Sequence, residues 1–500
     1  MLRLNHCQIS YHIPTTENIT VQSKDIKPSN DRRRAPIART GTHDAESGAI
    51  APNLHAAQGH ESEFLTDLPT RDCSYSPKQA ATIELKKLIE EKHYQGNFES
   101  AILFVAGQNI PEISQIRTLD QFYFYVDNLV AWIPEIRHWT TDGVVMHERT
   151  VYLRIVQFYY YFNLRELDYL QSPITPIEGR TLTPLSAWLH DFALEWGSFL
   201  DTPDSAKLLS SFKDAPEYNY QDYDKDPGQY ATFNDFFARQ FSDIDTMRPV
   251  AQKSDDRVIV FPAESTYVGQ WTVSTHNPPS IVVKHIEWSI EELLNDSAHS
   301  ADFIGGKFCH SFLNTYDYHR LHTPVAGTVI EARFIPGQVY LEVELKQQGA
   351  IMPNGDLANA VIPKRYLDAD DSTGYQFVQC RGLLVVQTEH FGKVAVLPMG
   401  MAQVSSVVFT RPGPEHAPFT LTKEESVGAS YSQQVDLLNQ KMAEQVDAGW
   451  TLDKGDMFSF FQFGGSDCVV VFERQANVNI TAQVGVHYPI RSQYGTANFG

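Results

Sequence analysis

The spacing of apolar residues divides this 500-residue chain into a helical part and a β part. From residue 76 to about 215, large apolar side chains recur at steps of three and four, which is the spacing of one helical face. Ser76-Pro77 and Thr183-Pro184 each have the order of an N-cap followed by a proline in the first helical turn. The aromatic run 155–162 predicts a buried helical segment. We therefore expect an all-helical region over residues 76–215.

Beyond about residue 226 the pattern changes to short β-branched runs separated by Gly, Pro and Asn, which is typical of antiparallel strands. The runs are 258–261, 281–283, 383–386, 394–397 and 469–472. The polar stretches 345–380 and 410–450 lack such runs, and we expect long loops there. The fold class predicted for the whole chain is therefore α+β, with a mostly antiparallel β domain over residues 226–500.

Residues 1–75 are rich in Ser, Thr, Asn, Pro and charge and show no periodicity, so we expect a disordered N-terminal arm. The arm has no apolar signal core, which favours a cytoplasmic protein. Its basic stretch 32–34 raises the alternative of a mitochondrial presequence, but acidic residues and prolines flank it. The five cysteines are odd in number and scattered, as expected for reduced thiols in a cytosolic protein.

Charge and hydropathy limit the partners of the chain. A formal net charge of −21 argues against nucleic acid and against adsorption on an anionic membrane surface. No apolar run approaches the roughly 18 residues of a spanning helix, so we expect no integral membrane segment. His319 and His322 could share a metal ion, but the sequence offers no evident third ligand, so no metal is predicted. Ordinary buried histidines are the structural alternative for both residues.

The segment that carries the most chemistry is Gly464-Gly465-Ser466, directly before an apolar strand run. The Ser466 hydroxyl can reach the Gly465 carbonyl because neither glycine has a Cβ that blocks the approach. Attack there would turn the amide into an ester, and elimination would then cut the chain. The new terminus would carry a pyruvoyl group, which is a carbonyl electron sink. On its own, such a triplet is most often a flexible turn.

Further segments accompany the triplet in a defined order. They are 233–241, Arg248-Pro249, 261–265, 315–328, 391–394 and 454–456. In order and approximate spacing they resemble the phosphatidylserine decarboxylase family, with its Phe-Phe-x-Arg, Pro-Ala-Asp-Gly, Tyr-His-Arg-x-His and Gly-Ser-Thr motifs. The resemblance covers roughly residues 226–475. The helical region, through its segment 196–200, is more weakly similar to the soluble subgroup typified by the psilocybin-pathway tryptophan decarboxylase.

This resemblance implies a proenzyme that cuts itself between Gly465 and Ser466. The products would be a β chain of residues 1–465 and an α chain of residues 466–500 that carries the pyruvoyl cofactor. It implies His322 as the base that accepts the Ser466 proton and Glu264 as the acid that orients His322. His319 would protonate the substrate carbon after carbon dioxide is lost. The family's fold also implies a β-sandwich-like catalytic domain and often a homodimer.

The chain departs from the family pattern at two places beside these residues. Glu264-Ser265 stands where the family has Asp-Gly, and the longer Glu side chain would set its backbone farther from His322. Asp467 stands where the family commonly has Thr or Ser. A carboxylate beside the scissile bond would disfavour the oxyanion of the cleavage reaction, or would position a water molecule.

The function predicted from these features is the removal of the α-carboxylate of an amine-bearing substrate. The acidic balance and the lack of a spanning segment favour a free amino acid, an aromatic one included, in specialised metabolism. A phosphatidylserine decarboxylase that makes phosphatidylethanolamine, docked by a peripheral apolar loop, stays open. A processing-dead binding or regulatory homologue stays open as well. A Ser-His-Glu hydrolase is disfavoured because the triplet lacks the nucleophile-elbow pattern.

Overall fold

The computed structural model describes residues 63–141, 144–147, 149–174, 182–283, 286–348, 364–369, 373–400, 407–413, 415–464 and 467–499. The helices are α1 (Ala80–Glu91), α2 (Gln95–Ala106), α3 (Leu119–Val130), α4 (Thr150–Asn163), α5 (Arg165–Asp168), α6 (Pro184–Leu200), α7 (Phe233–Phe237), α8 (Ile244–Met247), α9 (Ile290–Leu293), α10 (Lys423–Ser426) and α11 (Tyr431–Asp447). Within these described ranges, no helix is both long and apolar enough to cross a membrane.

The first six helices form the predicted helical region around an aromatic core. The run 155–162 lies in α4 and is buried as expected, with Phe158 stacked on Phe192 of α6 at 4.2 Å between ring centroids. Thr183 caps α6, with Pro184 in the first turn, which confirms that sequence signal. Ser76-Pro77 does not start α1, which begins at Ala80. The carboxylate of Glu195 on α6 accepts the first two backbone N–H groups of α1 instead.

A buried ion pair fixes the geometry of this region. Glu112 lies between α2 and α3 with φ at 65°, a left-handed conformation that side chains other than glycine seldom adopt. Its carboxylate accepts hydrogen bonds from Arg154 of α4 and from Arg137, the latter at 3.0 Å. The Arg154 guanidinium is only 1% exposed and lies 4.0 Å from the ring centroid of Phe64.

Most strands lie in the second half of the chain, but the first two form a hairpin between α3 and α4, inside the region 76–215 that was expected to be all-helical. The strands are β1 (His138–Thr141), β2 (Val144–His147), β3 (Val258–Val260), β4 (Ser265–Thr272), β5 (Ser280–Val283), β6 (Ile286–Ser289), β7 (Lys307–Phe312), β8 (Arg320–His322), β9 (Gly327–Ile335), β10 (Val343–Gln348), β11 (Lys364–Ala369), β12 (Cys380–Gln387), β13 (Lys393–Gly400), β14 (Val407–Phe409), β15 (Trp450–Leu452), β16 (Met457–Phe461), β17 (Asp467–Phe472), β18 (Asn479–Ile480), β19 (His487–Tyr488) and β20 (Gln493–Thr496). The order of helices followed by mostly antiparallel strands confirms the α+β prediction.

The largest sheet has eight antiparallel strands in the order β15-β9-β12-β13-β17-β7-β4-β19. Its central strands are buried on both faces: Val470 of β17 belongs to one apolar cluster and Val469 and Val471 to the other. This explains the nearly continuous apolar run in the sequence. A smaller three-stranded sheet, β14-β16-β8, contains His322, and His319 lies directly before its strand β8.

Three expectations of irregular structure need correction. The stretch 410–450, expected as a loop, contains the 17-residue helix α11. The stretch 345–380, also expected as a loop, contains β11 and part of β10, which pair with each other. A polar helix with only Val435 and Met442 buried gives a weak periodic signal, which is why the composition misled. Residues 63–75, within the predicted arm, pack on the helices: Leu65 is buried and Tyr75 donates to Asp127 at 2.7 Å. The rest of the arm lies outside the described residues.

Removing the carboxylate of the buried pair should destabilise the chain strongly. In Glu112→Ala the Arg154 guanidinium stays buried without its counter-ion, and we expect a loss of about 3–5 kcal/mol in the free energy of unfolding. Glu84→Ala, which removes the exposed Glu84–Lys87 pair (3.5 Å), is the matched control and should cost less than about 1 kcal/mol. Urea titration followed by tryptophan fluorescence measures both. Equal losses in the two variants would contradict a structural role for the buried pair.

Candidate active site

The predicted cleavage junction, Gly465–Ser466, lies outside the described residues, but both of its flanks are described. On one side, Gly464 has φ at 102°, a conformation that favours glycine. On the other side, Asp467 begins β17 and is fully buried. The junction therefore follows a glycine-dependent turn and precedes a central strand of the large sheet.

His319 and His322 reach the junction region through strand pairing. His322 ends β8, which pairs with β16, the strand that leads toward the junction. The His319 carbonyl accepts the Phe461 N–H at 2.8 Å, at the end of that pairing. Phe461 is buried, as is Phe463 two residues later, as expected from their alternation with polar neighbours. His322 thus shares one small sheet with β16, and His319 is joined to the end of β16 by a backbone hydrogen bond.

Each ring nitrogen of His322 has a hydrogen-bond partner. Its Nδ1 lies 2.6 Å from the Gly455 carbonyl oxygen, so Nδ1 carries the proton and donates it there. Arg491 Nε donates to the same carbonyl at 3.0 Å. Nε2 is then the basic nitrogen, 3.4 Å from the Tyr318 hydroxyl. Burial, together with the charge of Arg491, holds the pKa of His322 well below its ordinary value, so the ring is neutral at pH 7.

His319 is also buried and neutral, but its ring nitrogens are not engaged. The ring stacks on Phe237 of α7 with centroids 3.7 Å apart. Within the part of the chain that the structure describes, neither ring nitrogen makes a hydrogen bond. Burial and the nearby charge of Arg239 hold the pKa of His319 well below its ordinary value. An imidazole with two unused nitrogens inside the protein is a candidate for proton transfer to a bound molecule.

Glu264 does not contact His322 in the described structure, contrary to the orienting role predicted for it. Both carboxylate oxygens accept from Arg248, at 2.7 and 2.8 Å. A guanidinium that donates two parallel hydrogen bonds binds a carboxylate more strongly than a neutral imidazole does. This pairing raises the pKa of Arg248. The Gly455 carbonyl takes over the orientation of His322.

A cavity of about 330 Å³ opens beside this ion pair. Its walls include the carboxylates of Glu217, Glu264 and Asp317, with Arg248 and His487 as the basic groups. His487 Nε2 and Asp317 Oδ1 are 2.9 Å apart. Burial lowers the pKa of His487, but the hydrogen bond and charge of Asp317 outweigh it and the pKa lies above its ordinary value. Carboxylates therefore outnumber cations on the cavity wall.

The side chain of Asp467 lies in a buried polar cluster. Its Oδ2 accepts from the Tyr375 hydroxyl at 3.0 Å and from Gln376 Nε2 at 3.1 Å. The Gln376 amide also lies 3.2 Å from His310 Nε2, whose Nδ1 is 2.8 Å from Thr373 Oγ1. Oδ1 has no hydrogen-bond partner among the described residues. Two donors thus offset the carboxylate charge that the sequence placed beside the scissile bond.

Sequence reasoning missed the contributions of Arg491, His487 and His310. The first two lie downstream of Ser466, far from any motif, and reach His322 and Asp317 only through the fold. His310 lies in an ordinary apolar strand, β7, and gave no signal of its own. Within the described ranges, no cluster of three or more His, Cys, Asp or Glu side chains is arranged to bind a metal ion.

Comparison with known proteins places this site in a family. The family model for phosphatidylserine decarboxylase matches residues 233–496. Because the match covers more than half of the chain, the chain belongs to the phosphatidylserine decarboxylase family. The matched range includes both histidines, Glu264 and the predicted junction.

Individual relatives are distant and differ in their named activities. Phosphatidylserine decarboxylase proenzyme 3 of Schizosaccharomyces pombe is 26% identical over 297 residues, 59% of this chain and 24% of that protein. Decarboxylase iboD of Amanita muscaria is 26% identical over 322 residues, 59% of this chain and 80% of that protein. L-Tryptophan decarboxylase of Psilocybe cyanescens is 25% identical over 253 residues, 50% of this chain and 48% of that protein. The chain thus spans about a quarter of the first relative and about half of the third.

The buried neutral state of the two histidines predicts a steeper loss of stability in acid. Unfolded histidine binds a proton below about pH 6.5 while the folded ring stays neutral, so stability falls as pH drops below that value. His319→Asn should make this decline shallower by about 1.4 kcal/mol per pH unit, and His322→Asn should do the same. Urea unfolding between pH 7.5 and 5.5, in a Ser466→Ala background that keeps the chain intact, measures the slope. An unchanged slope in both variants would show that the rings are charged in the folded state.

Proposed function

We propose that the chain is the proenzyme of a pyruvoyl-dependent decarboxylase that acts on a free amino acid. The proposal includes a catalytic domain over residues 226–500, which follows the helical region 76–215 in the sequence. Its main support is a pair of buried, neutral histidines: His322 lies on the strand that pairs with β16, and His319 lies directly before that strand. The basic nitrogen of His322 is Nε2, which lies 3.4 Å from the Tyr318 hydroxyl, and the ring nitrogens of His319 have no hydrogen-bond partner among the described residues.

Self-cleavage is the first reaction assigned to the chain. The Ser466 oxygen forms a bond to the Gly465 carbonyl carbon, and His322 Nε2 accepts the hydroxyl proton. The carbon–nitrogen bond breaks, the proton passes to the freed amine, and an ester results. Elimination then removes the Ser466 Cα proton, breaks the Cβ–Oγ bond and releases Gly465 as a new carboxyl terminus, which leaves a double bond between Cα and Cβ of the former serine. Water replaces the nitrogen of the former serine, releasing ammonia, and leaves the pyruvoyl group on the α chain.

The surroundings of the junction fit such a group. The unengaged ring of His319 and the unpartnered Oδ1 of Asp467 are buried polar atoms that lie on elements flanking the junction on either side. When present, the pyruvoyl carbonyl supplies an electron sink for decarboxylation. His319 would deliver a proton to the substrate carbon once carbon dioxide is lost. Its lowered pKa makes the protonated ring a strong acid, which suits this transfer.

The cavity beside Glu264 supports an amine-bearing substrate of modest size. With Glu264 paired to Arg248 and Asp317 to His487, the wall has one further carboxylate, Glu217, which favours an ammonium group over a phosphodiester. A volume of about 330 Å³ suits a free amino acid better than a phospholipid with its acyl chains. One relative, L-tryptophan decarboxylase, is named for a free amino acid. Phosphatidylserine remains the second candidate because the family and the Schizosaccharomyces pombe relative are named for it.

Intact mass of the purified chain tests the first reaction. We expect the wild type to yield a fragment of residues 466–500, lighter by one ammonia than a serine-ended peptide and reactive toward carbonyl reagents. Ser466→Ala should remain a single 56.6 kDa species. His322→Asn should cleave at least about tenfold more slowly, because it removes the base. A wild-type chain that stays intact on long incubation would refute the proenzyme assignment.

Carbon dioxide release tests the substrate. The cleaved chain should decarboxylate at least one member of a panel of free amino acids, aromatic ones included, and yield the matching amine by mass spectrometry. Phosphatidylserine in mixed vesicles, with phosphatidylethanolamine as the product measured, is the competing arm. Turnover of the lipid alone would replace the amino-acid assignment with the phospholipid one. Ser466→Ala protein, incubated in parallel, controls for contaminating decarboxylases.

A further inference from the structure

The residue two positions before the junction is enclosed by aromatic rings from outside its own sheet. Phe463 is fully buried. Its ring contacts Trp196 of α6 and Phe233 and Phe237 of α7 edge-on, at centroid distances of 5.2, 5.6 and 5.6 Å. Three edge-to-face contacts fix both the position and the tilt of the ring. The helical region, through Trp196, therefore contacts the segment that leads into the junction.

A relay of hydrogen bonds holds the backbone at the same point. The Phe463 N–H donates to Asn234 Oδ1 at 3.1 Å. Asn234 Nδ2 in turn donates to Asp201 Oδ1 at 2.9 Å and to the Gly197 carbonyl at 3.3 Å, at the end of α6. Asp201 also accepts from Gln462 Nε2 at 3.2 Å. Because Asn234 has acceptors on its amino side and a donor on its oxygen side, its amide can take only this orientation.

The same helix fixes one of the candidate catalytic groups. Phe237, three residues after Asn234, stacks on the ring of His319 at 3.7 Å. Phe461 N–H donates to the His319 carbonyl, which ties the histidine to the segment before the junction. One short helix, α7, therefore sets the distance between His319 and that segment. Its register depends on Asn234 and its contacts with α6.

We propose that Asn234 and Asp201 are positioning residues for self-cleavage, through which the helical region holds the Gly465–Ser466 bond in place. This inference rests on the proposed proenzyme function. Gly464, with its left-handed φ, would otherwise let the junction sample many directions. Anchoring the N–H of Phe463 limits that freedom on one side, and the buried Asp467 limits it on the other. Attack of a serine on the preceding carbonyl needs such restriction because the reacting atoms must be aligned closely.

The relay can be broken and rebuilt with three full-length variants. Asn234→Ala removes the acceptor of the Phe463 N–H, and we expect the first-order rate of self-cleavage to fall about tenfold. Asn234→Asp keeps the acceptor but places a second carboxylate next to that of Asp201. Because the two negative charges repel, this variant should cleave more slowly still. The double variant Asn234→Asp with Asp201→Asn swaps the two groups and restores a donor between them. It should recover most of the rate lost in Asn234→Asp.

Each rate is measured by intact mass over time, beside the thermal unfolding midpoint of the matching Ser466→Ala chain. Asp235→Asn, on the exposed side of α7, is the matched control and should cleave like the wild type. Recovery in the double variant supports positioning, since a purely structural residue would not regain rate by exchanging groups. If Asn234→Ala cleaves within about twofold of the wild type, or a folded double variant shows no recovery, the positioning role is overturned. A wild-type chain that never cleaves refutes the proenzyme function itself, and the inference falls with it.

Discussion

The burial of β17 in the middle of the large sheet is the constraint on which the rest of the structure depends. The strand pairs with β13 on one edge and with β7 on the other, and all six of its residues are buried. Its valines, Val469 to Val471, contribute roughly 5–8 kcal/mol of apolar burial as an upper estimate. A strand held this firmly gives the residue before it a fixed point on one side. The Phe463 contacts supply the fixed point on the other side.

Much of this architecture was predictable because it follows from periodicity. The aromatic faces of α4 and α6 and the β-branched runs of the central strands both reflect burial, which sequence patterns report directly. The helix α11 escaped notice because only Val435 and Met442 of its residues are buried. The start of α1 was misplaced for a different reason. Its cap comes from Glu195, more than a hundred positions away, and no local pattern can show a cap supplied from another helix.

The site was predictable in its residue types and less so in its connections. His322 lies on β8, the strand that pairs with β16, and His319 lies directly before that strand, with its carbonyl accepting from the Phe461 N–H. Glu264 was expected to bind His322, yet Arg248 takes its carboxylate, since the competition between two partners is decided by three-dimensional reach. Arg491, near the C-terminal end of the sequence, donates to the Gly455 carbonyl, which also accepts from His322. Such pairings depend on tertiary placement, and neither spacing nor composition encodes them.

The last 35 residues contact the rest of the fold, so cleavage before them would also change whether unfolding of the protein is reversible. In an intact chain, β17 can pair again after it dissociates from β13 and β7, because the short covalent tether, the chain that links it to β16, keeps it nearby. Once the tether is severed, the strand would have to find its slot between β13 and β7 as a separate molecule. Its insertion would compete with the closing of those two strands on each other. Maturation would therefore turn a refoldable protein into one whose lifetime is set by its rate of unfolding.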